Sequence, residues 1–252
     1  MIYPNINPVA IDFGFFQIYW YGVAYLLAFM SAYLLANQRT KNNKQWDKKQ
    51  VEDLIFFGAM GVVLGGRIGY ILFYQFSSFI DNPLVLFKVW QGGMSFHGGI
   101  LGVALAIFLF AKKYNKGFLQ ITDFVVVLVP LGLFFGRIAN FINSELWGKI
   151  TESSFGMYIP SENVSRYPSQ LYEATLEGLV LFLIVWFYSQ KPRKLGRMSA
   201  LFLMGYGCFR FLVEFVRMPD AHLGYLAFNW LTMGQILTIP MFVLGIFLWI
   251  RK

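Results

Sequence analysis

Long apolar stretches separated by short polar segments run through this chain of 252 residues. A helix needs about 20 mostly apolar residues to cross the hydrocarbon core of a bilayer, and seven stretches approach that length. They lie at about 17–36, 54–76, 93–111, 121–142, 172–189, 198–217 and 232–250. The pattern predicts an all-α polytopic membrane protein with about seven transmembrane helices.

The composition agrees with this fold class. Hydrophobic residues make up 57% of the chain and charged residues only 13%, which is too few charges to cover a globule in water. No linker or low-complexity segment divides the chain, so residues 1–252 are predicted to form a single integral membrane domain. Residues 143–171 are rich in Ser, Glu, Asn and Pro and are long enough for a small extracytoplasmic cap.

Basic residues follow predicted spans one, three, five and seven, and they predict the orientation because short cytoplasmic loops retain Lys and Arg. They are Arg39, Lys41, Lys44, Lys48, Lys49, Lys112, Lys113, Lys116, Lys191, Arg193, Lys194, Arg197, Arg251 and Lys252. The N-terminus is therefore predicted outside and the C-terminus in the cytoplasm. The net charge of +8 is mostly this topology signal, and no nucleic-acid partner is expected. With Cys208 as its single cysteine, the chain has no multi-cysteine metal site, and we expect no metal or cofactor.

Charged residues inside predicted spans are the candidate functional residues, because intramembrane charges usually face a cavity or a partner. Arg137 and Asn140 are three residues apart at the outer end of span four, so they share a helix face and can address the same anion. The helix is predicted to end near Asn143, where Asn143 and Glu145 cap or brace it. In span five, Glu173 and Glu177 share a face, as counter-ions for arginines or, alternatively, for acid–base work.

Span six carries a polar stripe, which we define as Tyr206, Arg210, Glu214 and Arg217. At 100° per residue these four positions fall within an arc of about 80°, which does not suit a helix that faces lipid on all sides. Glu214 is predicted to hold one arginine in position and to leave the other for a ligand. Asp220 and His222 follow in a predicted loop.

Spans two and three add further polar groups. Arg67, Tyr70 and Tyr74 share one helical face of span two, and a structural ion pair explains this arrangement as well as a binding site does. His97 lies among glycines of segment 92–99 near the outer end of span three. Glycines leave room beside it, which favours a functional role over that of a polar packing residue.

The candidate residues of the outer half of the bundle carry an excess of positive charge. The basic members are Arg67, His97, Arg137, Arg210 and Arg217. Arginine suits phosphate because its planar fork donates paired hydrogen bonds and stays charged when desolvated. The set predicts a cavity for an amphiphilic anion, with a phospholipid head group as the most abundant candidate.

One run of residues resembles a known family signature. The run Gly136-Arg137-X-Ala139-Asn140-Phe141-X-Asn143-X-Glu145-X-X-Gly148 resembles that of the bacterial prolipoprotein diacylglyceryl transferases. Further similar blocks are Trp20-Tyr21-Gly22, Gly65-Gly66-Arg67-Ile68-Gly69-Tyr70, Gly93-Met94-Ser95-Phe96-His97-Gly98-Gly99, Pro168-Ser169-Gln170-Leu171-Tyr172-Glu173, Arg210-Phe211 and Glu214-Phe215-X-Arg217-X-Pro219-Asp220. The chain departs from the family at Ala139, where Gly is common, and at Tyr167, where His is common.

The resemblance implies a reaction and two substrates. The diacylglyceryl group of phosphatidylglycerol would pass to the lipobox cysteine thiol of a prolipoprotein signal peptide, forming a thioether and releasing glycerol phosphate. The enzyme would lie in the bacterial cytoplasmic (inner) membrane as a multi-pass protein, in contact with the lipid bilayer, with its active site toward the outer leaflet.

The resemblance also assigns residue roles. Arg137 and Arg210 would stabilise negative charge on the departing phosphate. The predicted phosphatidylglycerol site consists of Tyr21, Arg67, Tyr70, Arg137, Asn140 and Arg210. The predicted supporting residues are Asn143, Glu145, Gly148, Tyr206, Glu214 and Arg217.

The substrate thiol must be activated, because a free thiol is only a few per cent thiolate at neutral pH. Two explanations of this activation are open. His97 accepts the thiol proton, or the arginine potential favours the thiolate and His97 only orients groups. A rival function is also open: a transporter or scramblase that moves an anionic lipid or solute through the same cavity. The triplet Gly-Arg-Ile at 66–68 and 136–138 is compatible with a transporter's inverted repeat, although coincidence explains three residues as well.

Overall fold

The structure is a computed structural model that describes residues 1–41, 45–88, 92–219 and 224–251. In these ranges the chain is mostly helical. The helices are α1 Trp20–Thr40, α2 Lys48–Tyr74, α3 Phe76–Asp81, α4 Phe96–Tyr114, α5 Phe118–Val125, α6 Val129–Ile142, α7 Ser169–Glu173, α8 Leu181–Tyr188, α9 Arg197–Val213 and α10 Met233–Ile250. A π-helical segment, Ala174–Val180, joins α7 to α8, and a 3₁₀ turn covers Pro83–Phe87.

Two short antiparallel hairpins complete the described secondary structure. Strand β1 (Val9–Asp12) pairs with β2 (Gln17–Tyr19), with Asp12 opposite Gln17. Strand β3 (Met157–Ile159) pairs with β4 (Val164–Arg166), with Ile159 opposite Val164. The predicted helical class is thus confirmed, with small β elements that the apolar pattern did not indicate.

Five helices or continuous helical runs are long and apolar enough to cross a membrane, and a sixth span results if the bent pair α5–α6 is counted as one. The five are Trp20–Thr40, Lys48–Tyr74, His97–Tyr114, Ser169–Tyr188 and Met233–Ile250. The axes of α5 and α6 differ by 50°. Helix α9 has 17 residues and is not among the five. The chain is a membrane protein, while the count of seven spans stays a prediction.

The chain divides into two compact units. The single integral membrane domain stays a prediction. Unit 1 comprises residues 1–32 and 122–252, and unit 2 comprises residues 33–121. In unit 2, α2 and α4 approach closely through glycines. A Cβ on Gly61 would lie 2.7 Å from the carbonyl oxygen of Gly102, so only glycine allows this contact.

In unit 1, Asp123 fixes the start of α9. Its Oδ2 accepts a hydrogen bond from the amide of Gly196 at 2.6 Å, and its Oδ1 accepts from the amide and the hydroxyl of Ser199 at 2.8 and 2.6 Å. These bonds satisfy amide groups that a helix N-terminus otherwise leaves without partners. Below them, an apolar cluster packs α8 and α9 together: Val127, Leu181, Val185 and Met198.

The predicted cap segment, 143–171, contains the β3–β4 hairpin. Tyr3, Trp147, Met157 and Ile159 form a buried apolar cluster beneath it. The N-terminal strand region joins the same cluster, because the amide of Tyr3 donates to the carbonyl of Tyr158 at 2.9 Å. The segment is therefore folded around its own small core, and its extracytoplasmic location stays a prediction.

The prediction that span six continues as a helix to residue 217 was wrong. Helix α9 ends at Val213, with Glu214 at its C-cap. Arg217 instead forms an isolated β-bridge with Gly148, and the amide of Lys149 donates to the carbonyl of Val216 at 2.9 Å. Residues 214–216 form a turn, after which the amide of Arg217 still donates to the carbonyl of Val213 at 3.1 Å, and the same stretch pairs with the cap segment. Lys44, Asp220, His222 and Lys252 lie outside the described residues.

Candidate functional site

Three arginines of unit 1 converge on the carboxylate of Glu173. Its Oε2 lies 2.5 Å from Nε of Arg137, and its Oε1 lies 3.0 Å from Nη1 of Arg210 and 2.9 Å from Nη1 of Arg217. The Glu173 side chain is 1% exposed, whereas that of Arg137 is 21% exposed. Glu173 therefore acts as the counter-ion that its position beside the predicted arginines suggested.

Glu214 is the second carboxylate of this arginine cluster. Its Oε2 lies 2.8 Å from Nη2 of Arg210 and 3.9 Å from Nε of Arg217. Its Oε1 accepts a hydrogen bond from the hydroxyl of Thr232, the N-cap of α10, at 3.0 Å. The prediction that Glu214 leaves one arginine unpaired was wrong, because both arginines have Glu173 as well as Glu214 within ion-pair distance.

Glu177 is the third carboxylate and has the fewest contacts. It lies in the π-helical segment and is fully buried. Its Oε1 is 3.8 Å from Nη1 of Arg210, and neither of its oxygens accepts a hydrogen bond from the described residues. The formal charges of these three guanidinium groups and three carboxylates balance, so this cluster by itself carries no formal positive excess.

Arg137 connects the cluster to a chain of neutral and acidic side chains. Its Nη1 donates to Oδ1 of Asn140 at 3.4 Å. Nδ2 of Asn140 in turn donates to the hydroxyl of Tyr21 at 3.2 Å and to Oε2 of Glu145 at 3.2 Å. The structure thus brings together Tyr21, Arg137 and Asn140, which the sequence assigned to one site.

The residues after α6 brace its end, as predicted. Helix α6 ends at Ile142 with Asn143 at its C-cap, and Nδ2 of Asn143 donates to Oε1 of Glu145 at 3.5 Å. The amide of Glu145 donates to the carbonyl of Asn140 at 2.9 Å. Two further contacts come from α7: the side-chain amide of Gln170 donates to the carbonyl of Glu145, and Ser169 Oγ donates to the carbonyl of Leu146 at 2.8 Å.

Gln170 was missed as a candidate because it stood out only as part of the block 168–173, in a span whose candidates were its charged residues. It is 1% exposed, and Ser169 beside it is fully buried. The signal that points to it is the position of Gln170, which lies three residues before Glu173 and seven before Glu177, the two buried glutamates of the same helical run. A polar group buried in an apolar span needs a specific partner, and here the partner is the backbone that carries Glu145.

Gly148 allows a close backbone crossing next to the cluster. A Cβ at this position would lie 2.5 Å from the carbonyl oxygen of Val216 and 2.8 Å from that of Tyr167. The amide of Gly148 donates to the Tyr167 carbonyl at 2.8 Å. Since Arg217 pairs with Gly148 across this bridge, the glycine positions an arginine that contacts Glu173.

Tyr206 lies on α9 one turn before Arg210. Its ring stacks on that of Phe202 with centroids 5.9 Å apart and packs against the apolar cluster around Leu181. The structure therefore places it between the core of unit 1 and the arginine cluster, in keeping with its predicted supporting role.

Arg67 of unit 2 is 3% exposed and is surrounded by backbone carbonyls. Its Nη1 donates to the carbonyl oxygens of Gly92 at 2.5 Å and Gly93 at 3.3 Å. Its Nη2 donates to the carbonyl oxygen of Val85 at 2.6 Å, and its Nε donates to that of Leu86 at 3.3 Å. Of the two sequence-based interpretations, a structural ion pair is not found among the described residues. The phosphatidylglycerol-binding role stays a prediction, and the carbonyl contacts favour a structural one.

Tyr70 and His97 also belong to unit 2. The Tyr70 ring fills the space beside Gly93, where a Cβ would overlap it, and it lies 5.4 Å from the Tyr74 ring. His97 is exposed in the first turn of α4, next to the N-cap Ser95, whose Oγ accepts from the amide of Gly98 at 3.2 Å. Their predicted roles toward substrates are untested by these contacts.

Comparison with known proteins identifies the family. The sequence model of the prolipoprotein diacylglyceryl transferases matches residues 8–251. The chain belongs to this family. A protein of Legionella pneumophila (strain Lens) named phosphatidylglycerol–prolipoprotein diacylglyceryl transferase is 56% identical over 254 residues, which cover 100% of this chain and 99% of the relative.

Relatives in two other organisms carry the same name. One from Acinetobacter baumannii (strain ATCC 17978) is 54% identical over 98% of this chain and 93% of the relative. One from Marinomonas sp. (strain MWYL1) is 53% identical over 96% of this chain and 91% of the relative. The resemblance read from the sequence blocks is thus confirmed along nearly the full chain, and the chain is a transferase of lipoprotein biosynthesis.

In this diacylglyceryl transferase family member, the arginine cluster holds three partly exposed guanidinium groups in fixed positions. The side chains of Arg210 and Arg217 are 14% and 13% exposed, and Arg137 is the most exposed of the three. Each guanidinium is held by a buried carboxylate on one side, and part of its surface stays open. Fixed donors of this kind stabilise developing negative charge without reorganising during a reaction.

Proposed function

We propose that this chain transfers the diacylglyceryl group of phosphatidylglycerol to the lipobox cysteine thiol of a prolipoprotein signal peptide. The sulfur forms a bond to the glyceryl carbon, the bond from that carbon to the phosphate oxygen breaks, and glycerol phosphate leaves. One observation carries the assignment of the site: Arg137 and Arg210 meet on Glu173, Arg137 donates to Asn140, and Asn140 donates to the hydroxyl of Tyr21. The names of the full-length relatives support the two substrates.

The arginines supply the electrostatic part of the mechanism. Breaking the carbon–oxygen bond builds negative charge on the phosphate, and Arg137 and Arg210 stabilise that charge because guanidinium groups stay ionised in a partly dry site. Arg137 is the principal phosphate ligand, since its side chain is more exposed than that of Arg210. Asn140, 3.4 Å from Arg137, adds a polar contact beside it.

The buried carboxylates position these arginines. A guanidinium without a fixed partner samples many rotamers, and aligning it during the reaction costs entropy. Glu173 contacts three of them and is itself almost inaccessible to solvent. Asn143, Glu145 and Gly148 hold the backbone around Asn140 and Arg217, while Tyr206 and Glu214 support α9.

The thiol must lose its proton before or during attack, and we assign its acceptance to His97. Exposure at the first turn of α4 and the small neighbours Gly98 and Gly99 support access by a peptide. In the competing account, the potential of the arginines favours the thiolate and His97 only orients groups. The two accounts differ in the pH dependence of the rate.

The proposed topology has seven spans in a bacterial cytoplasmic membrane. Helix α9 and the bent pair α5–α6 add two spans to the five long helical runs. The basic residues after α1, α4, α8 and α10 support an external N-terminus and a cytoplasmic C-terminus. The site then opens toward the outer leaflet, beneath the cap segment 143–171.

Mass spectrometry tests the proposed activity. The purified protein is incubated with phosphatidylglycerol and a synthetic lipobox peptide, and a peptide mass gain of one diacylglyceryl unit is expected. A peptide with serine in place of the cysteine is the matched control and gains no mass. Movement of labelled phosphatidylglycerol between leaflets with an unmodified cysteine peptide would instead support the rival transporter or scramblase.

A further inference from the structure

The β1–β2 hairpin near the N-terminus carries three phenylalanines at its turn. Phe13, Phe15 and Phe16 are 55%, 95% and 58% exposed. An exposed cluster of large aromatic side chains marks an interaction surface with a protein or a membrane. The arginine cluster does not involve these residues, so their exposure calls for a separate explanation.

The turn is a defined structure. The amide of Phe13 donates to the carbonyl of Phe16 at 3.0 Å, and Gly14 adopts a positive φ of 81°. The Asp12 carboxylate links the turn to strand β2, because it accepts hydrogen bonds from the amide of Gly14 at 2.7 Å and from the side chain of Gln17 at 3.0 Å. The hydrogen bond from Gly14 lowers the pKa of Asp12 below its usual value. The three rings are therefore presented by an ordered hairpin.

The hairpin continues directly into a membrane span. Strand β2 ends at Tyr19 and α1 begins at Trp20, whose amide donates to the carbonyl of Pro8 at 3.0 Å. Only 6% of the apolar window of α1 is buried within the protein, and its exposed side chains include Leu26 and Met30. Helix α1 is long and apolar enough to cross a membrane, so the hairpin directly precedes a candidate span with an exposed apolar surface.

We propose that the hairpin turn inserts Phe13, Phe15 and Phe16 into the boundary between lipid head groups and acyl chains. Phenylalanine is one of the apolar side chains that interfacial segments bury at this boundary, and Tyr19 and Trp20, which follow the turn, are of the types enriched there. The hairpin cannot lie deeper, because its outer strand edges carry backbone groups that the hydrocarbon core cannot satisfy. Residues 1–38 contain no Lys or Arg, so burial of apolar surface drives the contact, and anionic lipid is not required.

Site-directed fluorescence tests the position of the turn. Phe15→Cys is made in a Cys208→Ser background, since Cys208 is the single cysteine and is exposed. The thiol is labelled with a nitrobenzoxadiazole probe, and the protein is reconstituted in phosphatidylcholine vesicles. We expect blue-shifted emission and stronger quenching by a nitroxide on a shallow acyl carbon than by one near the acyl terminus. Adding phosphatidylglycerol should leave the pattern unchanged.

Ser161→Cys in the same background is the matched control, since Ser161 is exposed in the β3–β4 turn beside Glu162 and Asn163. Its label should emit as in water and be quenched by aqueous iodide. Equal iodide quenching at both positions would overturn the proposal. Phe16→Cys gives a second reading if the Phe15 variant does not fold. Emission that becomes blue-shifted only with phosphatidylglycerol would also overturn it, because the contact would then depend on lipid charge.

Discussion

Glu173 and Arg137 form the shortest ion pair of the arginine cluster, with Oε2 of Glu173 2.5 Å from Nε of Arg137. The two side chains differ in solvent exposure: Glu173 is 1% exposed and Arg137 is 21% exposed. The carboxylate therefore fixes the guanidinium from within the protein while part of its surface remains accessible. This combination suits the proposed phosphate site, because the buried carboxylate orients the guanidinium before a ligand arrives.

Replacing Glu173 tests this positioning role. In Glu173→Gln the neutral amide cannot compensate three guanidinium groups, and breaking buried ion pairs costs about 3–5 kcal/mol. Displaced arginines should lower kcat by about 100-fold. Glu173→Asp keeps the charge but is one methylene shorter, so it should recover thermal stability more than rate. Thermal unfolding in detergent and the rate of peptide modification measure the two effects.

Glu162→Gln is the matched control for this charge removal. Glu162 pairs with Arg166 at 2.6 Å on the surface, and its side chain is 41% exposed. Exposed pairs contribute about 0–1 kcal/mol, so both stability and rate should stay near those of the parent. A Glu173→Gln variant that behaves like Glu162→Gln would show that the three arginines need no common counter-ion.

Arg137→Ala and Arg210→Ala should abolish transfer while the protein still inserts into membranes and purifies. Loss of one donor that stabilises a developing oxyanion costs about 100- to 1,000-fold in kcat. Arg137→Lys should also lose most of its activity, because an ammonium group cannot replace a planar fork that bridges Glu173 and Asn140. Transfer to a lipobox peptide, followed by mass spectrometry, is the measurement.

Arg193→Ala is the control for these arginine variants. Arg193 is exposed, and its guanidinium lies over the Tyr188 ring at 3.8 Å, so its removal should leave transfer unchanged. Near-parental transfer by purified Arg137→Ala or Arg210→Ala would be incompatible with charge stabilisation by these residues.

The pH–rate profile of His97→Gln separates the two accounts of thiol activation. If His97 accepts the proton, the variant loses this step, and with it most of its activity and the pH dependence that the step gives the parent. A glutamine side chain keeps hydrogen-bonding ability without titrating. An unchanged profile with high activity in the variant would exclude the general-base role.

Local spacing predicted part of this site. Arg137 and Asn140 were expected on one face because they are three residues apart, and they do contact each other at 3.4 Å. The end of α6 near Asn143 was also predicted correctly, since the apolar pattern stops there. Both features depend on residues close together in sequence, where helical periodicity alone determines which side chains meet.

The contacts that the sequence did not predict are between distant segments. Helix α9 ends at Val213, and beyond it Val216 and Arg217 pair with Lys149 and Gly148 of the cap segment. No pattern within span six indicates that pairing. Arg67 and Arg137 belong to identical Gly-Arg-Ile triplets but make different contacts. Arg67 donates to backbone carbonyls, whereas Arg137 forms an ion pair with Glu173. This difference also weakens the interpretation of the triplets as an inverted repeat.

Gly148→Ala should damage the site through the backbone. The added Cβ would meet the carbonyls of Val216 and Tyr167, and overpacking of this kind costs about 1–3 kcal/mol. Displacement of the paired Arg217 should lower the transfer rate as well. Gly136→Ala is the control, because a Cβ there meets nothing within 4 Å. Equal thermal stability and rate in the two variants would refute the close-approach argument.

Arg67→Met distinguishes a structural arginine from a lipid ligand. Methionine keeps much of the side-chain length but removes every donor, leaving the carbonyls of Val85, Leu86, Gly92 and Gly93 without this partner. A buried group left unsatisfied costs about 1–3 kcal/mol, so the melting temperature should fall clearly. The KM for phosphatidylglycerol, measured well below that temperature, should change little.

Lys112→Met controls for loss of a cation in the same unit, since Lys112 is exposed at the end of α4, and it should leave the melting temperature unchanged. A direct role of Arg67 in binding phosphatidylglycerol predicts the opposite result for Arg67→Met: an unaltered melting temperature with a raised KM. The structural role changes the melting temperature and the binding role changes the KM for phosphatidylglycerol. Measuring both quantities for Arg67→Met therefore decides between the two roles. The expected fall in stability would assign Arg67 to holding the backbone at Val85, Leu86, Gly92 and Gly93. The phosphate contacts would then be left to Arg137 and Arg210.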